Sequence, residues 1–167
     1  MIKKHFIYYC LLFFTFSFSL YAQRNNFQIY SIEQGLPQAT IYCITQDNNG
    51  YLWLGTEGGG LCRFDGINFK TYSKKEGFSG DIVRSLLLDK KGRLWAGTKD
   101  EGLIVYDGLK FKNVGKKNGL SGTTVLSIIE DKNGNIWAGT DDGGVNKVTE
   151  VSRDSFKVEV IDDSKGL

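Results

Sequence analysis

The decapeptide Asp89-Lys90-Lys91-Gly92-Arg93-Leu94-Trp95-Ala96-Gly97-Thr98 is one of three copies set 42 residues apart. Asp47-Asn48-Asn49-Gly50-Tyr51-Leu52-Trp53-Leu54-Gly55-Thr56 precedes it, and Asp131-Lys132-Asn133-Gly134-Asn135-Ile136-Trp137-Ala138-Gly139-Thr140 follows. Asp47, Asp89 and Asp131 keep the interval, as do Gly50, Gly92 and Gly134, and Trp53, Trp95 and Trp137. The 3 Trp of the chain are all spent on this motif. A unit that returns every ~40 residues is a supersecondary element that buries its apolar face only by stacking on its neighbours.

Each unit reads as four short strands separated by turn residues. The first is expected at Ile41–Gln46, Ile82–Leu88 and Thr124–Glu130, and the second at Leu52–Thr56, Leu94–Thr98 and Ile136–Thr140. The Asp-x-x-Gly turn joins them, with Asp bonding its own backbone ahead and Gly supplying positive φ. After a Gly-rich turn comes a third strand at Leu61–Phe64, Leu103–Tyr106 and Val145–Val148. Asp65-Gly66 and Asp107-Gly108 turn into a fourth at Phe69–Tyr72 and Phe111–Val114. The third copy has Thr149-Glu150 there and five extra residues, predicting a longer connection to Phe156–Ile161.

No stretch has helical apolar spacing of useful length. The expected fold class is therefore all-β, with four antiparallel strands per repeat forming one blade of a β-propeller. Blades are expected at about 36–73, 78–115 and 120–162. Asn26–Ser31 repeats Asn68–Ser73, so the sequence predicts a leading outer strand over 26–31 that completes another blade. Three blades and a strand fall short of the 4–8 blades of a closed ring, so an incomplete propeller is expected. Each Trp then fills the gap between blades, where burying ~200 Å² is worth at most about 5 kcal/mol.

The N-terminus reads Met1-Ile2-Lys3-Lys4, an apolar run from Phe6 to Leu20, then Tyr21-Ala22. This is the pattern of a secretory signal peptide over 1–22, leaving 23–167 as the partial propeller. The run is shorter than the roughly 20 residues a membrane helix needs. Of 21 Lys+Arg and 19 Asp+Glu, cleavage removes Lys3 and Lys4 and leaves 19 of each. A neutral chain argues against nucleic acid as a partner. The single His, His5, leaves with the leader, which excludes a Ser-His-Asp triad and a Cys/His zinc site. Cys43 and Cys62 fall on strands that are not direct neighbours and are expected to be free.

The unit Asp-x-x-Gly-x-Leu/Ile-Trp-x-Gly-Thr, followed by a Gly-rich turn, Gly-Leu and Phe/Tyr-Asp-Gly, resembles the two-component regulator propeller repeat. The resemblance covers 26–167. It implies a non-catalytic ligand-binding sensor in the periplasmic part of a hybrid histidine kinase, with an oligosaccharide as the expected ligand. It also implies further blades, and a kinase part to which this chain contributes nothing. Two other readings stand beside it: a propeller enzyme similar to streptogramin lyases, whose chemistry depends on histidine, and a structural or adhesive repeat without a small ligand. An arc of three blades exposes faces at both ends, so self-association of copies is a further expectation.

A propeller ligand contacts the entry loops and inner strands at one mouth. Positions that vary between copies while their neighbours match are the candidates. Tyr42, Arg84 and Leu126 are one position with three chemistries, and Gln38 and Asp81 add polar groups nearby. Gln38, Tyr42, Asp81 and Arg84 are the predicted saccharide-binding residues: Tyr stacks on a ring and the others bond hydroxyls. Glu57, Asp100, Glu101, Asp141 and Asp142 lie on the Gly-rich turns and read as solvated acids rather than a calcium or catalytic site. No catalytic residue, metal or cofactor is expected. Export predicts cleavage before Gln23, which N-terminal sequencing of protein from the periplasm checks; an intact Met1 in the cytoplasm contradicts it.

Overall fold

The computed structural model describes residues 27–141, 143–153 and 155–161; the expected leader over 1–22 lies outside them. Three four-stranded antiparallel sheets follow one another. Blade 1 holds β1 (Ile41–Gln46), β2 (Leu52–Thr56), β3 (Leu61–Phe64) and β4 (Phe69–Tyr72). Blade 2 holds β5 (Val83–Leu88), β6 (Leu94–Thr98), β7 (Leu103–Tyr106) and β8 (Phe111–Val114). Blade 3 holds β9 (Val125–Glu130), β10 (Ile136–Thr140), β11 (Val145–Ser152) and β12 (Ser155–Ile161). Strands pair in chain order within each sheet, and the first strands of successive blades touch, β1 on β5 and β5 on β9. The all-β, blade-built fold class is borne out, and the three sheets do not close on themselves.

The Asp-x-x-Gly carboxylate organises each blade more fully than a turn residue does. Asp89 Oδ1 accepts from the backbone N–H of Lys91 at 3.0 Å and of Arg93 at 2.8 Å, closing the β5–β6 turn. Its Oδ2 accepts from the Trp95 indole Nε1 at 2.9 Å. Asp47 and Asp131 hold Trp53 and Trp137 in the same way at 2.8 and 3.0 Å. One carboxylate therefore fixes the hairpin and aims the ring. The side chain of Asp131 is held well below the usual carboxylate range, by Asn135 first and the Trp137 indole second.

Trp53 and Trp95 pack onto the following blade. Trp53 is buried with Val83, Leu94, Ala96 and Ile104 of blade 2. Trp95 is fully buried among Val125, Ile128, Ile136 and Ala138 of blade 3, with Phe156 edge-on at 5.3 Å between centroids. Trp137 is only half-buried, because no described blade follows it. The Gly of Trp-x-Gly-Thr belongs to the same contact. A Cβ on Gly97 would stand 2.8 Å from Val125 Cγ1 and collide with Ser85 Oγ, so the second strand must be bare where the next blade closes in. Thr98 Oγ1 then donates to the Gly102 carbonyl at 2.9 Å and closes the β6–β7 turn.

Three features depart from the expected organisation. Phe27–Tyr30 forms no strand, correcting the leading strand expected over 26–31. All three sheets already hold four strands, so the segment has no ladder to join; Tyr30 instead packs edge-on against Phe64 and Phe69. Short 3-10 turns at Ile32–Gln34, Lys74–Glu76 and Lys116–Asn118 connect the blades. Val151 and Ser152, among the extra residues of blade 3, lie on a strand rather than in a loop. β11 and β12 pair as a bulged hairpin that carries Glu150 over blade 2. There Glu150 Oε2 accepts from Arg93 Nη1 at 3.1 Å and Lys91 Nζ at 2.5 Å, while Arg93 Nε pairs with Asp89 at 2.7 Å.

Trp95→Ala is expected to cost ~3–5 kcal/mol, from lost burial plus a cavity, and Trp137→Ala much less in this chain. Urea unfolding of both variants checks the difference; equal losses would mean that blade-to-blade burial does not set the contribution. Lys91 first, and then Arg93, hold the Glu150 carboxyl below its ordinary value of 4.5. Its contribution is complete above that value and fades as pH falls through the lowered one. Glu150→Gln should cost roughly 1 kcal/mol at neutral pH, a difference from the parent that shrinks as pH falls through the lowered titration of Glu150 in paired unfolding curves.

Candidate functional site

The varying position predicted to bind a ligand is a β-bulge in every blade. In blade 1, Ile41 lies opposite Thr56 and Cys43 opposite Gly55, which leaves Tyr42 as the extra residue. Arg84 is the extra residue between Val83 and Ser85, and Leu126 between Val125 and Ser127. A bulge turns its residue out of the strict alternation of the ladder. These side chains are thereby released from sheet packing, which lets the position change chemistry while its neighbours keep the core.

Tyr42 and Arg84 meet. The Arg84 guanidinium carbon lies 4.3 Å above the centre of the Tyr42 ring. The Tyr42 hydroxyl donates to Glu57 Oε1 at 2.6 Å, and that bond raises the phenol above its ordinary value. Arg84 Nε is buried and has no hydrogen-bond partner. Glu57, read from the sequence as a solvated turn acid, is the residue that sequence reasoning missed. Its backbone N–H donates to the Thr40 carbonyl at 3.1 Å, which brings it beside the bulge. The signal available was that the register setting Thr56 against Ile41 also sets Glu57 near Tyr42.

Gln38 and Asp81 stand apart from this trio. Gln38 accepts from the neighbouring Ala39 N–H at 2.8 Å, and its amide lies beside the Gly58 turn. The Asp81 carbonyl accepts from Gly58 and Gly60 N–H at 3.1 and 2.9 Å, stitching the entry of blade 2 to the turn of blade 1. Its exposed carboxylate reaches Lys74 Nζ at 3.9 Å. At the same end of blade 2, a groove of about 460 Å³ is lined by Ser79, Asp100, Glu101, Asn113, Lys116 and Thr123. None of Gln38, Tyr42, Asp81 and Arg84 lines it.

The trio offers a planar cation with an open N–H, a carboxylate, a phenol and an aromatic face. That set hydrogen-bonds hydroxyls and stacks on a ring; it supplies no activated nucleophile. Cys43 and Cys62 are free, and burial pushes both thiols up to about 11. Among the described residues no helix is long and apolar enough to cross a membrane.

The model of the two component regulator propeller family matches residues 35–58, 77–100 and 119–142. The extracellular domain of the hybrid two component system BT3049 from B. thetaiotaomicron is 27% identical with a TM-score of 0.72, over 84% of this chain and 19% of that one. The corresponding domain of BT4673 from the same organism is 23% identical with a TM-score of 0.71, over 86% and 22%, a likeness of fold alone. So is that to virginiamycin B lyase from Staphylococcus aureus, 16% identical with a TM-score of 0.57, over 73% and 41%. No curated protein matches the chain. The chain thus spans about a fifth of the solved extracellular domains it matches. Its three matched segments each carry one Asp-x-x-Gly hairpin and its Trp, and on this evidence the chain belongs to the two component regulator propeller family, with three consecutive repeats.

Proposed function

We propose that this chain is part of the exported sensor propeller of a two component signalling protein, and that it binds a saccharide at the Tyr42–Arg84–Glu57 cluster. The observation that carries the binding site is the Arg84 Nε, buried without a partner above the Tyr42 ring. A buried donor left unmet costs about 1–3 kcal/mol, which a ligand oxygen recovers. The likeness to an extracellular domain of a hybrid two component system supports the sensor role. Delivery to the periplasm follows from the leader-like N-terminus, and the phosphotransfer chemistry belongs to a part of the signalling protein other than these blades.

The half-buried Trp137 and its blade face call for a further blade, as Trp53 and Trp95 have. The partner that supplies it is the remainder of a longer parent chain, with self-association of copies as the competing source.

Tyr42→Ala and Arg84→Ala in the full ectodomain should each weaken binding of the cognate oligosaccharide by about tenfold or more, with the melting temperature within a few degrees of the parent. Calorimetry against an oligosaccharide panel is the measurement. Unchanged affinity in both variants would remove the site and leave the sensor role standing.

A further inference from the structure

Residues 42 apart build the two blade interfaces, so each interface shows what the other lacks. At the blade 2–blade 3 interface a cation covers the buried Trp: Arg93 Cζ lies 5.5 Å from the Trp95 ring centre. Two carboxylates answer that cation, Asp89 at 2.7 Å and Glu150 at 3.1 Å. At the blade 1–blade 2 interface the counterparts of Arg93, Lys91 and Glu150 are Tyr51, Asn49 and Gly108. The cation is nevertheless present, supplied by another strand. Arg63 on β3 lies with Cζ 4.2 Å from the Tyr51 ring centre and 5.9 Å from that of Trp53. Its Nε is buried and unpartnered, and among the described residues no carboxylate is within ion-pair distance of it. In place of the missing acid there is a cleft of about 200 Å³, lined by Arg63, Asp47, Asn48, Asn49, Tyr106 and Gly108 among others.

We propose that this cleft binds a small organic carboxylate, whose oxygens take the place that the Glu150 carboxylate fills at the next interface. A guanidinium presents its N–H groups as a planar fork that a carboxylate matches with two parallel bonds, and such charge-assisted bonds are about twice as strong as neutral ones. The volume suits one hydroxy acid or one sugar-acid ring. The Asn48 and Asn49 amides carry both donors and acceptors for its hydroxyls. Asp47 lies in the same wall, so a second negative charge on the ligand is penalised, and a monoanion is selected over sulfate or the dianion of phosphate. The cleft lies at the Asp-x-x-Gly end of the blades, whereas Tyr42 and Glu57 lie at the end bearing the Gly-rich turns. It is thus a second site, independent of the saccharide reading.

The Trp53 indole N–H, which donates to Asp47 in the cleft wall, is the reporter. Sodium galacturonate titrated into 15N-labelled chain should move the Trp53 indole signal saturably and leave that of Trp137 in place, with Trp53→Phe assigning the peak. Glucose and inorganic phosphate should move neither. Arg63→Gln should weaken galacturonate binding at least tenfold, and Arg63→Lys should retain part of it. Arg84→Ala should leave it unchanged, which separates this site from the first. Asn49→Glu, which puts a carboxylate of the chain itself into the cleft, gives a second arm should Arg63→Gln fail to fold, and is expected to abolish the response. No saturable shift with galacturonate, an equal shift with glucose, or a response that survives Asn49→Glu would overturn the proposal.

Discussion

The hydrogen bond from a tryptophan indole to the aspartate of the preceding turn is the contact on which the rest of this fold depends. It joins two scales. Within a blade, the carboxylate satisfies the backbone N–H groups of the β5–β6 hairpin through one oxygen. Between blades, its other oxygen fixes the rotamer of Trp95, whose ring is then the largest side chain buried against the next blade. A four-stranded sheet on its own leaves one apolar face in water, and its hairpins are marginal until something covers them. Here the residue that makes the hairpin form is the residue that aims the cover. Local and long-range order are consequently tied to one side chain, and the 42-residue interval repeats the tie.

The sequence made most of the fold legible for this reason. Asp, Gly and Trp recur in phase, so turn, strand and packing face were all marked by residue types whose local preferences agree with the global architecture. The second strands fall at Leu52–Thr56, Leu94–Thr98 and Ile136–Thr140, as their turn residues require. What the sequence concealed was anything fixed by pairing rather than by type. Phe27–Tyr30 has a strand's residues and no ladder to join. Val151–Ser152 looked like loop and extends a strand, because β12 pairs alongside it. Periodicity describes one segment at a time, whereas a strand exists only with its neighbour.

The candidate site was legible to the same degree. Comparison between copies picked out Tyr42 and Arg84, and the bulge they occupy gives a physical reason for their variability: it takes one residue per blade out of the core. Glu57 was not found, because its place beside Tyr42 arises from cross-strand proximity and its type is ordinary for a turn. Gln38 and Asp81 lie near by sequence, yet their polar atoms serve the backbone and Lys74. Proximity along the chain predicted neighbourhood and not orientation.

Repetition also supplies a test that a non-repeating protein lacks. Blades share a backbone, so a difference between two interfaces isolates the effect of a few side chains on an otherwise constant frame. The charge over the tryptophan illustrates this. The side-chain cations of Arg63, Arg93 and Lys147 all lie within 6 Å of a Trp ring centre, although Arg93 comes from the β5–β6 turn and the other two from the third strands of their blades. A cation over the indole therefore recurs in all three blades, worth about 0.5–2 kcal/mol by its attraction to the ring face. The anion that answers it does not recur. It is present as Glu150 at one interface, brought there by an extended hairpin, and absent at the other. Where the chain omits the counterpart of Glu150, the Arg63 Nε is left buried without a hydrogen-bond partner. The proposed carboxylate site thus falls where one copy omits an interaction that another completes.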